Sequence, residues 1–161
     1  MKKCLTGGRS RKHLPERDCG RPPQLTAGRS TGSLWGDKIS LIAYPFFHPA
    51  DSLLQVGFVS ILTPKDIAAM KIVATSQRGK KRDSFDLYWL SHNVLPLEES
   101  LKRAEQQYSV RHNFTHLLKS LVYFEDAEDD PDPEVNFDAD WRKVKSFFET
   151  EIPVIMRRLI G

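Results

Sequence analysis

The sequence predicts an α+β protein whose strands come first and whose helices are segregated behind them. Three observations carry this. Lys38–Tyr44 alternates, with Ile39, Leu41 and Ala43 on one face, and Val56–Leu62 reads as a second strand. From Thr63 onward apolar residues recur at helical spacing, in segments bounded by start and stop signals. A chain of 161 residues, 40% of them hydrophobic, suits one ordinary domain with its own core.

Residues 1–33 are rich in Gly, Pro, Arg and Ser and show no periodicity, so they read as a disordered or foreign leader. The Gly7-Gly8 pair within them is no phosphate loop, because no strand precedes it and no helical pattern follows. Residues 34–63 hold the two strands, interrupted by Pro45–Ser52, and the second strand needs a partner that the sequence does not reveal. Residues 64–161 form a helical domain. Thr63 is a good N-cap, Pro64 suits the first helical position and Asp66 stands three residues after the cap. The first helix runs to about Ser76, with Ile67, Met70 and Ala74 as its apolar stripe, and Arg78-Gly79 ends it. Further helices are expected from near Asp83 to before Pro96, over Leu97–Tyr108 and over His112–Glu125. An acidic, Pro-punctuated loop spans 126–137. A last helix covers Ala139–Leu159, with Val144, Phe147 and Phe148 inward, and bends or restarts at Pro153.

The net charge of +3 is unevenly spread: residues 1–38 and Arg78-Gly-Lys-Lys-Arg82 are basic, and 125–140 is acidic. Such clusters attract phosphate-bearing partners or are simply solvated loops. No apolar run approaches the roughly 20 residues that span a bilayer, and no apolar segment follows the basic N-terminus as in a signal peptide. With Cys4 and Cys19 read as free thiols, this points to the cytoplasm and to no membrane partner.

The richest chemistry lies in Lys71, Arg78, Asp83 and Asp86. Lys71 and Arg78 are seven apart on one helix, and Asp83 and Asp86 are three apart on the next. A tight turn at Gly79 would bring two cations and two carboxylates together, as a nucleotide-phosphate site requires. The same residues also admit a structural reading, with Asp83 as an N-cap, Asp86 complementing the helix dipole and Lys71 paired with Asp66. Elsewhere, His112 and His116 have zinc-ligand spacing but no third ligand. Ser33, Ser40 and Ser60 lack nucleophile context. Phe85, Tyr88 and Trp89 read as core rather than as a base-stacking platform.

Two blocks, Thr63-Pro-Lys-Asp66-Ile-Ala-Ala-Met-Lys71 through Arg78-Gly-Lys-Lys-Arg-Asp83-Ser-Phe-Asp86-Leu-Tyr, and Leu118–Glu128 followed by Trp141–Phe148, resemble the AbiEii-type nucleotidyltransferase toxins. The resemblance runs from about Asp37 to the C-terminus. It implies the remnant of a polymerase-β-like nucleotidyltransferase sheet followed by a helical domain. It further implies transfer of a nucleotide from a nucleoside triphosphate, with Mg²⁺, to a nucleic-acid or protein acceptor. Some members act on tRNA, and members belong to type IV toxin–antitoxin and abortive-infection systems, so an antitoxin encoded nearby is an implied partner. On this reading Lys71, Arg78 and Arg82 contact phosphates, Arg78 also helps to set the charge of the site, and the catalytic residues are Lys71, Asp83 and Asp86, the two aspartates acting directly or by supporting Lys71. The family's upstream D-x-D pair, which holds the metal, has no counterpart here: Asp18 lacks a strand, and Asp130-Pro-Asp132 lies in the acidic loop. The expectation is therefore a truncated, catalytically incomplete copy with no metal ligands of its own. A rival from another class is a non-catalytic helical module that binds RNA or a partner protein through Arg78–Arg82. A short sheet with open edges would also leave Ile39, Leu41, Phe58 and Ile61 uncovered and favour self-association.

Overall fold

In the computed structural model, which describes residues 29–34 and 36–159, strand pairing begins inside the stretch read as a leader. Strand β1 (Arg29–Leu34) runs antiparallel to β2 (Asp37–Ile42), with Ser30 opposite Leu41 and Gly32 opposite Ile39. Gly36 closes the hairpin at φ 93°, a conformation that costs glycine nothing. The sequence Arg-Ser-Thr-Gly-Ser-Leu hides this strand because backbone hydrogen bonds, not an apolar face, define it. The readings placed on Cys4, Gly7-Gly8, Asp18 and Cys19 lie outside the described residues.

The chain divides into two compact units, residues 1–43 and 44–161, and the β1–β2 hairpin belongs to the first. The second opens with another hairpin, β3 (Leu54–Val56) and β4 (Val59–Ile61). The single strand expected over Val56–Leu62 is thus folded back on itself. Gly57, at φ 61°, starts a two-residue turn of the kind that suits strand twist, and the unseen partner lies immediately upstream. Every residue of β3 and β4 is exposed, and Phe58 at the tip is wholly so. Ile39, Leu41 and Ile61 are also exposed, as the sequence led one to expect.

Helix α1 (Pro64–Arg78) starts where its signals place it, with Thr63 Oγ1 accepting from the Asp66 N–H at 3.2 Å. Its buried face is Ala68, Ala69, Ile72 and Val73; Ile67, Met70 and Ala74 flank that face rather than form it. Helices α2 (Lys81–Asn93), α3 (Leu97–Gln107) and α4 (Phe114–Ser120) pack around α1. In place of one helix over 112–125 there are two pieces: α4, which starts behind Asn113, whose side chain accepts from the His116 N–H, and the short α5 (Glu125–Glu128). Helix α6 (Trp141–Leu159) packs on α2 and runs unbroken through Pro153. Val144, Phe148, Ile152 and Ile155 bury one continuous stripe on both sides of that proline, which offsets its lost hydrogen bond. No helix among the described residues is long and apolar enough to cross a membrane.

The segment between α5 and α6 is not a free loop. Residues 132–140 alternate, with Val135, Phe137 and Ala139 packed against the core and Glu134, Asn136, Asp138 and Asp140 turned outward. This strap lies within the second unit and forms one wall of the site described next.

Candidate functional site

Helix α1 ends at Gly79, whose φ of 52° and N–H bond to the Thr75 carbonyl at 3.0 Å reverse the chain. A β-carbon at position 79 would stand 3.0 Å from Asp126 Cβ, so both the turn and the close approach favour glycine. The reversal sets the last turns of α1 against the first turns of α2. Asp83 is completely buried there. Arg78 donates to it twice, from Nε to Oδ2 at 2.6 Å and from Nη2 to Oδ1 at 2.9 Å, and Lys71 Nζ donates to Oδ1 at 2.9 Å. Lys71 also donates to the Asp86 carboxylate. The four residues singled out by spacing therefore form one cluster, with two positive and two negative charges.

Burial alone would raise the pKa of Asp83, but the hydrogen bonds from Arg78 and Lys71 outweigh it and hold the carboxyl below its usual range. The Asp83 hydrogen bond correspondingly raises the Arg78 guanidinium, which stays charged. Lys71 is 22% exposed and Asp86 49%, so the cluster has a sealed inner half and an open outer half. An ammonium has three N–H donors, and two of those on Lys71 are used.

The structural reading of these residues is corrected in two places. Asp83 is not the N-cap of α2; that position is Lys80, which makes no side-chain cap bond. The α2 terminus is served from a distance by Asp130, whose Oδ2 accepts from the Lys81 N–H at 3.1 Å and whose Oδ1 pairs with Lys80 at 2.8 Å. Nor does Lys71 pair with Asp66. The buried Asp66 carboxylate instead accepts from Gln107 Nε2 at 2.6 Å, the Ala50 N–H at 3.2 Å and the Thr63 hydroxyl at 3.1 Å.

Arg82 stands apart from the cluster. It is exposed and makes no ion pair among the described residues, and with Arg78, Lys80 and Asp130 it lines a hollow of about 330 Å³. Lys81 is buried, donates to Asp132 at 3.1 Å and lies 5.4 Å from the centre of the Trp141 ring. Asp130-Pro-Asp132 is thus committed to the lysines of the basic turn.

Beside the open half of the cluster lies a cleft of about 650 Å³. Lys71 and Asp86 stand on its wall, Ile67, Trp89 and Leu90 continue that wall, and residues 134–137 of the strap complete it. Trp89 is 39% exposed, which corrects its reading as core; Phe85 is buried and Tyr88 half-buried. Neither Trp89 nor the strap was singled out as part of a site. The signal for the strap was present in the sequence: Val135, Phe137 and Ala139 fall on every second position of an otherwise acidic run.

Magnesium is not fitted by this cluster alone, since both oxygens of Asp83 and one of Asp86 are held by cations. Among the described residues no group of three or more His, Cys, Asp or Glu could hold a metal. His112 precedes α4, so it does not share a helix face with His116; its ring packs edge-on against Tyr108.

The family described as nucleotidyl transferase AbiEii toxin, type IV TA system, matches residues 43–155. An uncharacterized protein of Aquifex aeolicus (strain VF5) is 34% identical over 110 residues, covering 68% of this chain and 52% of that protein. The chain thus spans about half the length of the relative it matches. No solved structure matches it.

Proposed function

The chain belongs to the AbiEii nucleotidyltransferase toxin family, and from that premise we propose that it binds a nucleoside triphosphate at Lys71 and serves transfer of the nucleotide to an acceptor. The observation that carries this is the half-open cluster. Asp83, itself held by Arg78, fixes Lys71 from the buried side, while Lys71 and Asp86 both line the cleft and one ammonium N–H is left over. A phosphate oxygen arriving there displaces Asp86, which returns to water at little loss because it is half-exposed. Arg78 stays on Asp83, a positioning role, and Asp86 is the carboxylate free to act near the phosphates.

In this reading Mg²⁺ arrives with the triphosphate, and this cluster does not supply its ligands. RNA, tRNA included, is the proposed acceptor class, and an antitoxin is the proposed partner. The rival reading, a non-catalytic module binding RNA through Arg78–Arg82, has weaker support. Three of the four basic side chains of that turn are tied to carboxylates of the same chain, and Arg82 is the one left among the described residues.

Calorimetry with each of the four ribonucleoside triphosphates and Mg²⁺ tests the proposal on the wild type and on Lys71→Ala. Binding by the wild type, weakened at least tenfold or abolished in Lys71→Ala, is the expected outcome. No binding of any triphosphate by the wild type would overturn it and leave the module reading.

Self-association is part of the same proposal. The β3–β4 hairpin exposes Val56, Phe58, Val59 and Ile61, and it pairs only with itself among the described residues. A sedimentation coefficient that rises with concentration, and ceases to rise in Phe58→Lys, is expected; concentration-independent sedimentation of the wild type would exclude it.

A further inference from the structure

We infer that the cleft beside Lys71 is a nucleobase pocket, in which the base stacks on Trp89 while the triphosphate points to Lys71; this rests on the nucleotide-binding reading above. Trp89 follows Asp86 by three residues on α2, so the two side chains share a helix face and lead from the charged cluster into the cleft. Among the aromatic side chains of α2, Phe85 stacks with Trp141, and Tyr88 packs against Phe137 and Phe147. Trp89 has no aromatic partner among the described residues. The Trp89 indole is 39% exposed on the wall of the cleft, and its face is what a planar, sequence-tolerant ligand needs.

The opposite wall has the complementary character. Val135 of the strap is apolar and half-buried, whereas Glu134 and Asn136 alternate outward on the rim. Together they give a pocket that is apolar across the ring face and polar at the ring edge, as ligand sites generally are. The volume of about 650 Å³ lies within the ordinary range for a small-molecule site. Charge argues against a simple phosphate hole: the cluster is neutral and Glu134 adds a negative charge, so the phosphates belong at Lys71 and the uncharged part of the ligand belongs further in.

The test separates the base from the phosphates by using inorganic tripolyphosphate with Mg²⁺ as a ligand that lacks a base. Calorimetry compares it with each ribonucleoside triphosphate on the wild-type chain, Trp89→Ala and Trp89→Phe. Because Trp89 is partly exposed, both variants are expected to keep the fold, which circular dichroism checks. Nucleoside triphosphates should bind the wild type more tightly than tripolyphosphate. Trp89→Ala should weaken them by about tenfold and leave tripolyphosphate unchanged, and Trp89→Phe should restore most of the loss. Equal affinity for tripolyphosphate and nucleotides, or an equal loss of both in Trp89→Ala, would overturn the pocket and leave nucleotide binding at Lys71 standing. Failure of every ligand to bind the wild type would remove both.

Discussion

Replacing Asp83 by alanine is expected to destabilise the helical unit by about 3 kcal/mol, visible as a lower urea midpoint at an unchanged slope. The carboxylate is sealed and accepts three charge-assisted hydrogen bonds, so its removal strands Lys71 and Arg78 at once. The loss sits at the lower end of the range for broken buried pairs because Arg78 is half-exposed and recovers water. The same residue sets a pH dependence. Its folded pKa is held below the unfolded value of about 3.8, so the unfolded chain binds more protons and stability rises with pH. The contribution is complete above that unfolded value and disappears as pH falls through the lower, folded one. Asp83→Asn should therefore flatten the acid limb of the stability profile, measured by urea melts between pH 2 and pH 6. An acid limb identical to that of the wild type would show that other carboxylates carry it.

Asp66→Ala is expected to cost a further large amount, about 3 kcal/mol, although the residue lies outside the charged cluster. Its carboxylate satisfies the Ala50 N–H, the Gln107 amide and the Thr63 hydroxyl, and Arg103 approaches to 3.5 Å. Alanine would leave the Gln107 amide without its partner in a site where Gln107 Oε1 already has none. Asp66→Asn keeps an acceptor for Gln107 and should lose only about 1 kcal/mol. Thermal melts of the two variants decide this. Equal losses would mean that the charge, rather than the acceptor for Gln107, is what position 66 supplies.

These two aspartates also mark what could be read from the sequence. Thr63-Pro64 and Gly79 fixed the ends of α1 because caps and left-handed turns are local events written in neighbouring residues. The convergence of Lys71, Arg78, Asp83 and Asp86 was legible for a related reason: helical spacing plus one tight turn determines it. Asp66 was read as a capping residue and as a partner of Lys71, since its actual partner Gln107 comes from a helix distant in sequence. Asp130 as the cap of α2 was hidden in the same way. The β1 strand and the two-part hairpin at Gly57 escaped because exposed ladders need no apolar alternation. Trp89 was misjudged because helical spacing alone does not distinguish a core aromatic from one beside a cleft. The strap hid its alternation beneath the acids that dominate its composition.

The position of that strap has a consequence for the order in which the protein is made. The charged cluster is complete once α2 has been synthesised, whereas residues 134–137 and helix α6 leave the ribosome later. At ordinary translation speeds the interval is roughly a few seconds. During it the nascent chain holds its lysine, arginine and aspartates without the wall that shapes a cleft beside them. The cleft is therefore formed only after the segment that makes one of its walls has been translated and docked.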